Sequence, residues 1–202
     1  MYVRSVLAAV MAALLVWQPV AATDNISQKW RFWSVNGYDY WIVWRFDSGF
    51  PSNSTMRNYV SNGRFEWNDV GRELWFSWNQ SASDPFVWVR YNDLWWPFNG
   101  ALAVAVKQNC YHSAYICSAD ITFNKTIDGG WQHWYGQPGF TCDNKYVDIW
   151  STAAHEFGHL VSLNHSPQTA DTMYATIECA TTNKRSLTTH DKDGIKQLYP
   201  AH

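Results

Sequence analysis

His155, His159 and His165, with Glu156 beside the first, are the residues of this chain whose types and spacing could do chemistry. They fall in the run His155-Glu156-Phe157-Gly158-His159-Leu160-Val161-Ser162-Leu163-Asn164-His165. On an α-helix, residues four apart are separated by roughly 400° of rotation, so His155 and His159 nearly eclipse and can chelate one metal ion. Glu156 lies about 100° round from His155, close enough to hold a water at the metal without becoming a ligand. That pattern suits zinc and metal-assisted hydrolysis. Zinc with three protein ligands keeps a fourth position open for water or substrate, where it acidifies the water and polarises a carbonyl. A continuing helix would carry His165 roughly 600° round from His159, onto another face. The helix must therefore stop before His165, and the chain must bend to bring the third imidazole back.

Asp171-Thr172-Met173-Tyr174 follows, with Met173 eight residues after His165. Three histidines at this spacing followed by a methionine resemble the metzincin zinc proteases, whose HExxHxxGxxH precedes a methionine-containing turn beneath the metal. Within that clan the stretch is most similar to the matrixins, the matrix-metalloprotease catalytic domains. The resemblance makes Met173 the Met-turn residue, an apolar floor under the imidazoles and not a ligand. One position departs from the pattern: Ser162 stands where the family has Gly. Glycine tolerates the positive φ that ends and reverses a helix, and Ser162 does so only at a steric cost. Asn164, the next most tolerant type, is the expected left-handed residue instead.

The positions around this stretch fit one secreted domain. Arg4 precedes a nearly continuous apolar run, and Val20-Ala21-Ala22 offers small residues for cleavage. Residues 1–22 therefore read as a secretory signal peptide; the run is shorter than the ~20 residues a membrane span needs. Residues 23–202 suit a single domain with a real core. The formal charge of −2 includes Arg4. So small a charge gives no reason to expect nucleic acid or an anionic membrane as partner; the expected form is an extracellular monomer. Four cysteines in a secreted chain suggest two disulfides, with three connectivities open. Cys110 with Cys117 could close a short loop, and Cys142 with Cys179 could tie the approach to the zinc helix to the loop beyond Met173.

Fourteen tryptophans are present, ten of them from Trp30 to Trp96. Core and sheet faces are the favoured use, because aromatic residues suit strands; a glycan-gripping surface is the alternative. Residues 40–46 are large on both faces, as in a central strand covered on both sides. Ser54 or Thr55 can cap a helix whose face is Met56, Tyr59, Val60, Gly63, Trp67 and Val70, stopped by Gly71. Residues 74–78, 86–91, 101–107 and 119–124 read as strands, and residues 147–163 as the zinc helix. Thr188 and Asp191 form a capping box for a last helix with Ile195, Leu198 and Tyr199 buried, ended by Pro200. Asp191 and Asp193 are expected to cap it and brace the Met-turn.

This order resembles the matrixin domain from about residue 30 to 200. It implies an α+β fold: a twisted mixed sheet of about five strands with three helices, the zinc helix crossing behind the cleft. A polypeptide substrate would lie along the edge strand 101–107 and pair with Ala103, Val104 and Ala105. Zinc on His155, His159 and His165 would polarise its carbonyl, with Glu156 as general base and then acid. The loop 174–186 would wall the specificity pocket. The departures imply one zinc. The family's structural zinc takes histidines where this chain has Val104 and Thr122, and its calcium site takes acidic residues where this chain reads Asn124-Lys125-Thr126-Ile127-Asp128. A Cys110–Cys117 disulfide is expected to stiffen the loop in place of those metals. His112 and His133 read as polar surface residues. No cysteine or propeptide length lies between residues 22 and 30 to cover the zinc. Two other classes stay in view: an aromatic-rich binding protein with a non-catalytic metal, and a zinc hydrolase of a non-peptide amide. Glu156 argues against the first, since a structural zinc has no use for a base.

Overall fold

The computed structural model describes residues 29–30, 40–68, 70, 74–95, 98, 100–110, 115–126, 133–135 and 146–199. Residues 1–22, read above as a leader, and Gly71, His112, Cys142 and Pro200 lie outside these. The elements run β1 (Lys29–Trp30), β2 (Tyr40–Phe46), α1 (Ser54–Asn68), β3 (Leu74–Trp78), β4 (Val87–Asn92), β5 (Ala103–Asn109), β6 (Tyr115–Asn124), β7 (His133–Tyr135), β8 (Tyr146–Asp148), α2 (Ile149–Leu160) and α3 (Thr189–Leu198). Six strands form one mixed sheet in the order β1-β6-β4-β2-β3, with β5 on the other side of β6. Every pairing in it is parallel except β5 with β6. Short β7 and β8 pair separately, in parallel. The α+β architecture with three helices follows the expectation, with one strand more in the sheet.

One sheet face packs on α1 and α2. Ile42, Trp44, Phe46, Phe76, Val89, Ile121 and Phe123 meet Val60, Trp67, Ala153, Phe157 and Leu160, all nearly inaccessible. Phe157 wedges between Trp44 and Phe76, at ring-centroid distances of 5.7 and 5.1 Å with near-perpendicular planes, the edge-to-face arrangement aromatic quadrupoles favour. Two indoles pin α2: Trp67 Nε1 donates to Ala154 O (2.7 Å), and Trp30 Nε1 donates to Leu160 O (2.8 Å). The second satisfies a carbonyl left without a partner at the helix end.

Several expected boundaries shift for identifiable reasons. β2 is central but buried on one face only; its alternate residues are half-exposed. That outward face covers itself, with Trp41 stacked on Trp75 and the Arg45 guanidinium 4.7 Å from the Trp88 ring. Asn53, not Ser54 or Thr55, caps α1, its Oδ1 accepting from Thr55 N and Met56 N. The zinc helix is shorter than residues 147–163, because Asp148 is extended and caps it by accepting from Ser151 N. Thr188 and Asp191 form the expected capping box. Among the described residues no helix is long and apolar enough to cross a membrane.

The α1–α2 approach is set by Gly63. A Cβ there would lie 2.6 Å from Ala154 N and 2.7 Å from Ala153 Cβ. Gly→Ala inside a helix ordinarily stabilises by about 1 kcal/mol. At this site overpacking wins, and Gly63→Ala is expected to lower unfolding stability by about 2 kcal/mol in urea titration.

Candidate metal centre

The three histidines converge. His155 Nε2 and His159 Nε2 are 3.0 Å apart, and His159 Nε2 and His165 Nε2 are 3.2 Å apart. α2 supplies the first two from adjacent turns. The third arrives by a chain reversal. Val161 N bonds to Phe157 O, Ser162 N to His159 O and Leu163 N to Gly158 O, closing off the carbonyls of the last turn. The residue that makes the reversal is Ser162 itself, at φ 68°. Asn164 does not take the left-handed conformation, which corrects the expectation from side-chain tolerance. Position in the helix-ending hydrogen-bond pattern decides, and only residue 162 stands where that pattern turns.

The outer ring nitrogens fix the orientations. His155 Nδ1 lies 2.8 Å from Thr172 O and His159 Nδ1 lies 2.8 Å from Leu163 O. A carbonyl accepts only, so both rings carry their proton on Nδ1 and present Nε2 as a lone pair. Burial first, and neighbouring His159 second, hold the His155 imidazole well below its usual range; His165 and Lys184 add to this and the Thr172 carbonyl opposes it. His165 is lowered by burial and then by Lys184. Nitrogen lone pairs about 3 Å apart cannot hydrogen-bond one another, and a cation among them turns a repulsive arrangement into ligation. The donor set fits zinc, which accepts three neutral imidazoles and an open position.

Thr172 is held in turn. Its N–H and that of Met173 donate to the two carboxylate oxygens of Asp191, at 3.0 and 3.2 Å. The capping residue of α3 thus fixes the turn that orients His155. Met173 is buried and packs on Gly158, where an added Cβ would also meet Trp67 Cζ2 at 2.6 Å. Asp193 does not share the bracing role; it faces solvent and pairs with Lys196.

Glu156 is buried beside His155, and both line a cavity of about 200 Å³ with Leu102, Ala103, Thr152 and the segment from Ala175 to Ile177. Burial pushes the Glu156 carboxyl up to about 8, against a hydrogen bond from the Ala105 backbone that lowers it. β5 pairs with β6 on one side and forms a sheet edge among the described residues. Val104 stands opposite Thr122 across that pair, and neither is a zinc-ligand type. A Cys110–Cys117 disulfide joins the end of β5 to the start of β6. Cys179 is also disulfide-bonded; Cys142 is outside the described residues. His133 falls in β7. Among the described residues, His155, His159 and His165 are the cluster that could hold a metal ion.

Two groups were not foreseen. Arg185 grips Asp148 with Nε to Oδ2 (2.9 Å) and Nη2 to Oδ1 (2.7 Å), tying the loop beyond Met173 to the start of α2. Asp171 is buried and accepts from Ser166, from Thr188 Oγ1 at 2.7 Å and from His190 Nδ1 at 2.6 Å. Its place two residues before Met173 was the local signal; Ser166 is five residues away, while Thr188 and His190 come from the start of α3.

A helix with two imidazoles one turn apart, a third returned by a left-handed reversal, a buried glutamate and a methionine turn define the metzincin class of zinc peptidases. The chain belongs to the matrixin family, whose family model matches residues 52–200. It is 29% identical over 176 residues to Metalloendoproteinase 2-MMP of Arabidopsis thaliana, covering 84% of this chain and 43% of that protein. It is 43% identical over 53 residues to Metalloendoproteinase 1-MMP of the same plant, 26% of this chain and 14% of that one. It is also 34% identical over 71 residues to human Neutrophil collagenase, 35% and 15%. The chain thus spans less than half the length of these relatives. Family membership implies a catalytic zinc.

Asp171 gives the brace a pH dependence. Burial alone would raise its carboxyl, but hydrogen bonds from Ser166, Thr188 and His190, with the charge of His190, bring it below the ordinary 3.8. A depressed carboxyl contributes stability that is present above its unfolded value and lost as pH falls through the folded one. Zinc-free Asp171→Asn is expected to unfold about 2 kcal/mol more easily than the unaltered chain at pH 7. The difference should shrink steadily below pH ~4, as followed by urea titration at stepped pH.

Proposed function

We propose that this chain is a secreted zinc endopeptidase with one metal ion, held by His155, His159 and His165. The observation that carries the reading is the convergence of three Nε2 atoms beside a buried glutamate in a cavity. When bound, zinc supplies Lewis acidity toward a peptide carbonyl and an attacking water. The chain's own residues do the rest. An extended peptide pairs with the edge of β5 through Ala103, Val104 and Ala105, in the manner of an added strand. One substrate side chain enters the cavity between Ala103, Thr152 and Ile177. Glu156 accepts the proton of the attacking water at a carboxylate oxygen and returns it to the leaving amine nitrogen. Met173 keeps the floor of the site apolar and dry.

Val104 and Thr122 support a count of one zinc, and the Cys110–Cys117 disulfide replaces the bracing that further metals would give. The leader pattern at residues 1–22 supports export, and the site needs no second copy of the chain.

Cleavage of denatured casein by the zinc-loaded secreted chain, beside Glu156→Ala, tests the reading. The unaltered chain should cleave, and Glu156→Ala should bind zinc and lose roughly a thousandfold or more of the rate. Metal analysis should return about one zinc per chain, the number that three ligands and an open position supply. Zinc binding by both proteins with cleavage by neither would move the binding-protein and non-peptide amide readings ahead. A count near two would overturn the single-metal reading.

A further inference from the structure

Ser162 occupies a demanding position. It is 1% exposed and sits at φ 68°, where an L-residue with a Cβ is strained. Its hydroxyl is removed from water, and a buried polar group needs a partner. Lys107 provides one: its Nζ donates to Ser162 Oγ at 3.4 Å.

Lys107 comes from β5, not from the loop it touches. Strand side chains two apart share a face, so Ala103, Ala105 and Lys107 all point towards α2. Ala103 lines the cavity, the backbone of Ala105 bonds Glu156, and Lys107 reaches the turn at the helix end. Two consequences of the turn bear on the metal site. Leu163 is placed so that its N–H bonds Gly158 O and its carbonyl accepts from His159 Nδ1. Beyond it, the reversed chain carries His165 Nε2 to within 3.2 Å of His159 Nε2.

We propose that Lys107 is a positioning residue. By donating to the Ser162 hydroxyl it holds residue 162 in the left-handed conformation that orients His159 and delivers His165. The inference rests on the zinc-site reading. It treats the serine and the lysine as one device: the hydroxyl gives the edge strand a handle on a turn that glycine would make unaided.

The sign of the effect separates this role from a plain electrostatic one. An ammonium acting only through space repels a cation, so its removal would tighten zinc. A positioning ammonium does the opposite, and only while residue 162 has a hydroxyl to hold.

Zinc affinity by chelator competition in the unaltered chain, Lys107→Met, Ser162→Gly and the double variant reads the difference, with apo thermal unfolding by circular dichroism as the check on folding. Lys107→Met should weaken zinc about tenfold, the scale of one lost hydrogen bond from a charged group. Ser162→Gly should stay within about threefold and melt no lower, because glycine adopts the turn without strain. Lys107→Met should then add nothing in the Ser162→Gly background. Lys107→Arg, which keeps a donor, should recover most of the loss. Equal weakening in both backgrounds, tighter zinc on losing Lys107, or no change in either overturns the inference alone. No zinc binding by the folded, unaltered chain overturns it together with the metal-site reading.

Discussion

Three imidazole nitrogens face one another across 3.0 and 3.2 Å, those of His155 and His159 with their lone pairs inward. That geometry opposes itself until a cation shares it, so folding must supply the restraint in advance. It does so from outside the site. Each of the two helical histidines is fixed through its far nitrogen, His155 by Thr172 O and His159 by Leu163 O. Such outer hydrogen bonds set the tautomer and the ring direction together. Neither carbonyl belongs to α2. One is on the Met-turn and the other on the reversal after the helix, so the metal site is only as rigid as those two irregular segments.

Both segments are held by regular structure elsewhere. Asp191 serves a helix and a turn with one carboxylate: it completes the capping box of α3 and accepts from the N–H groups of Thr172 and Met173. Asp148 works similarly at the other end, capping α2 while receiving both arms of Arg185. A buried carboxylate that accepts several hydrogen bonds is a strong anchor, and removing one of its partners leaves an uncompensated charge. The loop that walls the cavity is therefore fixed at its two ends by the same kind of group that ends the helices. Preorganisation of this sort places ligands without requiring the ligand-bearing loop to be regular.

The order of legibility in the sequence follows the range of the interactions. The pairing of His155 with His159 depends on helix geometry alone, and the capping box at Thr188 and Asp191 spans four residues; both could be read from spacing. The bounds of β3, Leu74–Trp78, were equally clear from its apolar, aromatic run. What escaped was set by distant partners. Ser162 looked too costly for a positive φ because the cost was judged from the residue type, while Lys107 sits 55 positions away. Asp148 is the exception: its cap is local, the side chain accepting from Ser151 N, and Arg185, 37 positions on, adds to its hold. The face of β2 away from the helices looked covered because its residues are large. Their cover turned out to be one another, a Trp41–Trp75 stack and an arginine over Trp88. Periodicity reports size and polarity, not which layer supplies the contact.

Two of the tryptophans act directly on the same helix. A core-facing carbonyl of α2, whether inside the helix at Ala154 or at its end at Leu160, is reached only by a donor that arrives with a large apolar body. Trp67 brings such a donor to Ala154 O from α1, and Trp30 brings one to Leu160 O from β1. Each indole fills core volume and fixes the height of α2 against the sheet in one contact. The arrangement has a cost, since the indole nitrogens of Trp44 and Trp150 are buried without a partner among the described residues. Trp44 keeps its place through rings: it meets Phe157 and Phe46 edge-on at 5.7 and 5.1 Å, with the Arg64 guanidinium 5.7 Å from its face. Phe157 lies between Glu156 and Gly158, so the residue that seats the helix in the aromatic core is the neighbour of the one that faces the cavity. Tryptophan-rich packing on one side of α2 and metal geometry on the other are consequences of one helix being fixed in rotation.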